Sequence, residues 1–381
     1  MSTQQMPMMR ALAACVRANV PVLIWGSPGL GKTAVLTRNA DAWGRHLETV
    51  IGSVREASDF MGLPIELDGQ VHYSPLAWAK RLAGAPKGLL YLGELTTSAP
   101  SVQKAMLRVV QERWVGDLHF PDSVSIVADA NPVDQAVDGW DLPAPVSNRF
   151  VHLPWTFNPE QWLSGLVVGF ANLPVQALDA GLNDNPVAAR VRVAASVAAY
   201  LRGNPARINP GPPDDGHGAI DPEKAGGAWP SPRSWTNTVE ALSHLQDDDE
   251  NAEVLLVKGG VGEQAAREYM AWKMTTDLID PWEAMRDPGK VPWQTARVDQ
   301  LFTLVHAVAA VSLGAGDRAT WVDALKVMVA CANAGKPDVA LPAVHILARQ
   351  SQFVRDGLPR AVLDTFGSLL HRAHLVEEAA A

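Results

Sequence analysis

The feature that most constrains this chain is the turn Gly26-Ser27-Pro28-Gly29-Leu30-Gly31-Lys32-Thr33, set between the apolar run PVLIW (21–25) and a helical pattern. It fits G-x-x-x-x-G-K-[ST] in the setting that gives the motif its meaning, after a strand and before a helix. The glycines let the backbone curl so that several N–H groups face one point, and the N-terminus of the following helix adds positive potential there. Such a turn cradles phosphates. Lys32 is placed to reach the β- and γ-phosphates, and the Thr33 hydroxyl to ligate Mg2+.

A turn of this kind needs a sheet to stand on. Short runs at 21–25, 49–54 (TVIGSV), 88–92 (GLLYL), 123–128 (SVSIVA) and 150–155 (FVHLPW) alternate with helical patterns. Runs apolar throughout, rather than alternating, read as central strands of a parallel sheet covered on both faces. From Val102 to Glu112 the residues Val102, Ala105, Met106, Val109 and Val110 form one stripe, with Gln103, Lys104, Arg108, Gln111 and Glu112 outside it, which predicts a helix on that sheet. Beyond Asn158 strand-like runs largely vanish. The stretch 203–230 is rich in Pro and Gly and reads as a long loop. Ser231-Pro232 then opens a helix, with serine at the N-cap and proline at the first helical position. A further helix is expected around Val261 to Met274, a break at Asp287-Pro288-Gly289, and three or four helices over 297–378.

Two strand tips carry polar residues. The run Leu89–Leu92 ends in Gly93-Glu94, where Glu94 is a candidate to polarise an attacking water. The run 125–128 continues into Asp129-Ala130-Asn131-Pro132, which puts Asn131 within reach of that water or of the γ-phosphate. Arg149, before the last strand, is a candidate for completing a neighbouring subunit's site. Arg233, at the start of the helix after the long loop, is a candidate for the γ-phosphate of its own subunit. Taken singly, either arginine reads as a surface salt bridge.

In this order the residues resemble an AAA+ ATPase, and within that group the MoxR branch, over about 7–290. The resemblance implies an α/β fold: a P-loop NTPase AAA+ three-layer αβα domain with a parallel sheet (1–157), an α-helical lid (158–290) and a helical C-terminal extension (291–381). It implies ATP and Mg2+ as cofactors, with Gly26, Ser27, Pro28, Gly29, Leu30, Gly31, Lys32 and Thr33 holding the phosphates and Thr33 the metal. Glu94 is matched to the second acidic motif, Asn131 to the first sensor, Arg149 to the arginine finger and Arg233 to the second sensor. Two hairpins, around Leu67-Asp68-Gly69-Gln70 and Gly116-Asp117, match elements that rim a central pore. The implied assembly is a homo-oligomeric ring, commonly a hexamer. It works as a chaperone that remodels or matures a client complex beside a von Willebrand factor A-domain partner. The sequence departs from the family at Gly93, where an aspartate is usual. Metal affinity then falls, or another acid substitutes, or ATP is bound with little turnover. An ATP-gated scaffold is therefore the alternative to a remodelling ATPase, and a nucleic-acid-translocating ring is a third reading.

Composition narrows these readings. A formal charge of -9 argues against a protein devoted to coating nucleic acid. With 47% hydrophobic and 19% charged residues the chain has enough apolar material to fold rather than stay disordered. The nearly uncharged run Leu301–Gly316 falls short of the ~18–20 residues of a membrane span. MSTQQMPMMR lacks the pattern of a secretory signal, so a cytoplasmic address is expected. Cys15 and Cys331 read as core fillers. The Asp247-Asp248-Asp249-Glu250 run reads as a solvated turn, the His371/His374 pair as a solvated helix face, and most of the 13 tryptophans as packing.

Overall fold

The computed structural model describes residues 5–132, 139–213, 226–275, 279–350, 353–354 and 357–372. His374 and the side chain of His371 fall outside the described parts, as does 214–225 of the long loop. The strands are β1 (Val22–Trp25), β2 (His46–Ile51), β3 (Leu63–Leu67), β4 (Gln70–Ser74), β5 (Gly88–Gly93), β6 (Trp114–Val115), β7 (Leu118–His119), β8 (Val124–Ala130) and β9 (Val151–Pro154). The five apolar runs become one parallel sheet in the order β2-β5-β8-β1-β9. The central strands β5 and β8 are buried on both faces, which is why they lack polar alternation, while the edge strand β2 leaves His46 and Thr49 exposed. Leu23, Val50, Leu90, Leu92 and Ile126 pack with Trp78 and with the stripe Val102, Ala105, Met106, Val109 and Val110. The helices Gln5–Arg17 and Glu250–Val261 lie against β9. The latter sits so close that a Cβ on Gly259 would lie 2.1 Å from the His152 carbonyl oxygen, so only glycine fits there.

This order sets the carboxyl ends of β1, β5 and β8 side by side, so the loops leaving them converge. Two hairpins flank them. β3–β4 turns at Asp68-Gly69, with φ of 54° and 73° as a two-residue primed turn requires. β6–β7 turns at Gly116, and Asp117 joins the hairpins by giving its N–H to Tyr73 O (2.9 Å) and accepting the Tyr73 N–H (2.9 Å).

Two compact units emerge, Met1–Asp184 with Arg207–Arg267, and Asn185–Ala206 with Glu268–Ala381. The boundaries at 157 and 290 implied by the resemblance mark nucleotide domain, lid and extension, a different division from these two compact units. Contact between helices, which composition does not report, groups Pro186–Gly203 with Val298–Ala315. The second unit is helical and packs around Leu301, Val305, Trp321, Leu325, Val344 and Phe366. Four helices fill its C-terminal part: Val298–Ala315, Arg318–Asn333, Pro337–Gln350 and Arg360–Arg372. The first of these is longer than the apolar run suggested. Its 18 residues suit a bilayer by length and composition, but 61% of it is buried and it forms the core of this unit.

Other local expectations also need correction. The second strand lies at 46–51, and Gly52–Val54 is a 3-10 turn. Gln103 is buried, because its amide donates to Leu95 O (3.0 Å), a carbonyl at a strand-tip turn. The helix expected over 261–274 runs Glu263–Thr275, and Gly262, at φ 81°, parts it from a preceding helix, Glu250–Val261, that lies outside that expectation. Asp249 is buried rather than solvated: it caps Glu250–Val261 and holds the Arg10 guanidinium through two hydrogen bonds.

Candidate functional site at the carboxyl edge of the sheet

The glycine-rich turn is anchored at both ends. Gly26 N–H donates to Ala130 O (3.2 Å), and a Cβ at Gly26 would meet the Trp155 Cβ at 2.7 Å. The Trp155 indole N–H donates to Leu30 O (3.1 Å). Gly29 and Gly31 take φ of 79° and 77°, so the turn curls left-handed just before the helix Lys32–Ala42. No side chain caps that helix, so its first N–H groups are offered to an anion. Lys32 is buried, and its ammonium donates to Gly26 O (2.5 Å), Ser27 O (3.2 Å) and Asn131 Oδ1 (3.0 Å). It also pairs with Asp129 Oδ2 at 3.2 Å. The exposed Thr33 shares a hydrogen bond with the Tyr91 hydroxyl (3.2 Å).

Glu94 leaves β5 in the left-handed region, with φ 60° and ψ 48°. Such a conformation costs about 1–3 kcal/mol in a non-glycine residue and needs support. Asp129 Oδ1 supplies part of it by accepting the Glu94 N–H (2.8 Å), while Ser98 Oγ donates to Glu94 O (2.8 Å). The Glu94 carboxylate accepts from Ser53 Oγ, and more weakly from Thr97 Oγ1 (3.4 Å). Asn131 is buried, and the Thr96 hydroxyl binds its backbone twice, donating to its carbonyl (3.0 Å) and accepting its N–H (3.1 Å). The structure thus brings Lys32, Asn131 and Glu94 to one edge.

Sequence reasoning missed Asp129 and Thr96. Asp129 had a signal: it is the one carboxylate in β8, a strand whose seven residues are all buried, and acids are almost never fully buried unless paired. Its charge is felt locally, since burial and then Asp129 push the Tyr91 phenol above its ordinary pKa.

Arg149 and Arg233 are brought together. Ser231 Oγ donates to Asn148 Oδ1 (2.6 Å), Asn148 Nδ2 to Trp229 O (2.9 Å) and Asn237 Nδ2 to Arg149 O (3.4 Å), which fastens the start of the helix Pro232–Leu242 to the 147–149 turn. Burial lowers the Arg149 pKa, and the neighbouring charge of Arg233 lowers it further. The Arg149 guanidinium donates to Gln111 Oε1 (2.9 Å from Nε) and to Pro145 O, and neither of these acceptors carries a charge.

Beside the glycine-rich turn lies a cavity of about 260 Å³, lined by Leu30, Val35, Trp155, Phe157, Trp162 and Phe170 with Arg38, Asn158 and Gln161 at its polar points. An apolar, aromatic slot with a few polar groups suits a flat heterocycle. The exposed Thr33 hydroxyl and nearby carboxylates are hard oxygen donors of the kind Mg2+ takes. Among the described residues no cluster of three or more His, Cys, Asp or Glu side chains would hold a metal by itself.

Sheet order, glycine-rich turn and strand-tip residues define the P-loop AAA+ αβα fold, followed here by a helical C-terminal region. Residues 21–150 match the family model of the AAA domain (dynein-related subfamily), which agrees with this fold. No curated protein matches the chain. Among solved structures, a "putative ATPase" from Cytophaga hutchinsonii is similar at 18% identity, over 71% of this chain and 80% of that one, with a TM-score of 0.40.

Proposed function

We propose that this chain is a MoxR-like AAA+ ATPase that binds and hydrolyses ATP between the subunits of a homo-oligomeric ring, commonly hexameric in such proteins. In this reading ATP lies with its phosphates over Gly26–Thr33 and its base in the aromatic cavity. Mg2+ supplies charge neutralisation on the phosphates when bound. Lys32 binds the β- and γ-phosphates, Asn131 faces the γ-phosphate, and Glu94, fixed by Ser53, takes a proton from the water that attacks phosphorus as ADP leaves.

The observation that carries the ring is the Arg149–Arg233 pair. Two like charges held together are unfavourable, and an anion between them reverses the sign. Neither arginine lines the cavity beside the phosphate turn. A neighbour's γ-phosphate is the anion proposed for Arg149, and for Arg233 a shared role in trans stands beside the same-subunit role expected from sequence. The exposed Leu63, Ile65, Leu67, Val71 and Tyr73 on β3–β4 offer an apolar grip for a client complex. A von Willebrand factor A-domain protein is the proposed partner.

Mixing variants tests this. Arg149→Ala and Glu94→Gln should each lose about 10³-fold or more in hydrolysis. Mixed rings should regain a share, because some interfaces join an intact Glu94 to an intact Arg149. Absence of recovery, or full activity at dilutions where the protein is monomeric, defeats the shared site.

A further inference from the structure

Gly93 removes the carboxylate that would end β5, but it does not leave the place without one. The last paired rung of β5 and β8 is Leu92 with Ala128, so Gly93 and Asp129 stand side by side on the next rung. Side chains on one rung of neighbouring parallel strands point to the same face, with the strands about 4.8 Å apart. A Cβ built on Gly93 would lie 3.6 Å from Asp129 Oδ1, and 2.6 Å from Ile51 Cδ1. The volume of a side chain at 93 is thus shared between an isoleucine methyl and the carboxylate of the adjacent strand.

That carboxylate faces the groups a metal–nucleotide complex would meet. Oδ2 lies 3.2 Å from Lys32 Nζ, and Oδ1 holds the backbone of Glu94. The Tyr91 hydroxyl, which feels the Asp129 charge, is hydrogen-bonded to Thr33. Accepting one N–H and one ammonium proton needs only oxygen atoms, which asparagine supplies in part. A carboxylate in a strand whose seven residues are all buried is expensive to bury as a charge and suits a cation.

We propose that Asp129 serves the Mg2+ of a bound nucleotide in place of the residue at 93, so that the metal-facing carboxylate has moved one strand across the sheet, opposite Thr33. This rests on the reading of the site as an ATP site. It resolves the three outcomes open at Gly93 in favour of a substituting acid.

Calorimetry of a non-hydrolysable ATP analogue, with and without Mg2+, tests it, with the EPR spectrum of Mn2+ in place of Mg2+ as a second readout. In Asp129→Asn the ratio of affinities with and without Mg2+, measured on the same variant so that any change at Lys32 cancels, should fall by about 10- to 100-fold from that of the native chain. The variant's Mn2+ spectrum should change. Gly93→Asp should restore that gain in the Asp129→Asn background once Ile51→Val makes room. Gly93→Asp with Ile51→Val in the otherwise native chain should leave the metal gain close to native, because Asp129 already fills the carboxylate's place beside the metal. Should Asp129→Asn fail to fold, the Gly93→Asp/Ile51→Val chain still decides, since a large metal gain with Asp129 intact overturns the inference. An undiminished metal gain in Asp129→Asn also overturns it while leaving ATP binding standing. No analogue binding by the native chain, with or without metal, overturns the ATP reading and the inference together.

Discussion

The strand tips of the first unit and the core of the second both bury polar side chains, but they satisfy them differently. In the helical unit, Thr303 donates to Asp299 O (2.9 Å) and His306 Nδ1 bonds Phe302 O (2.8 Å), each within one turn of its own helix. At the strand tips, Lys32 is met by Asn131 and Asp129, and Thr96 by Asn131, partners far apart in sequence. A bond within a turn forms whenever the helix does. A bond across the sheet exists only in the finished fold, and groups kept at that cost belong to a site rather than to packing.

Breaking the Lys32 contacts should have the largest effect. Lys32→Ala removes both the proposed phosphate ligand and the partner of a buried carboxylate. Nucleotide binding should vanish and stability fall by about 3–5 kcal/mol, as for a buried ion pair losing one member. Adding Asp129→Ala should return part of that stability and none of the binding, as read by denaturant melts and calorimetry. The helical core should show the converse. Trp321, 1% exposed, should cost about 3–5 kcal/mol when cut to alanine, with nucleotide affinity unchanged below the melting range.

The smallest and most graded effect is acid sensitivity. His152 on β9 is fully buried and its pKa is pushed down to about 4 by desolvation. Its Nδ1 accepts the Trp25 indole N–H (2.8 Å), so Nε2 carries the proton and donates to Ser147 O (3.0 Å). The unfolded chain takes up a proton first. Stability should therefore drop by about 1.4 kcal/mol per pH unit as pH falls from about 6.5 to about 4, and no further below that. His152→Gln should flatten this limb in pH-dependent melts. His306 is lowered by burial as well, so acid should also weaken the helical unit, and that part should survive the His152 substitution.

Much of the first unit was legible in advance, for local reasons. Gly29 and Gly31 are glycines because the turn needs positive φ, and Ser231 caps its helix because serine can accept the Ser234 N–H (3.1 Å). Gln103 misled because polar residues on a helix read as solvent-facing, while its partner, Leu95 O, lies in another element. Asp129 was passed over for the same reason. Its meaning depends on the strand beside it, which its own neighbours in sequence do not name.

The sequence alone therefore determined what short-range sterics and periodicity control: the apolar strands, the glycine-rich turn and the helical character beyond it. The tertiary structure decided who stands next to whom. It set Asp129 on the rung beside Gly93 and Arg233 beside Arg149, because strand order and helix docking join segments that no local pattern relates. Side-chain period fixes which face a residue takes, and only the assembled sheet fixes its neighbour.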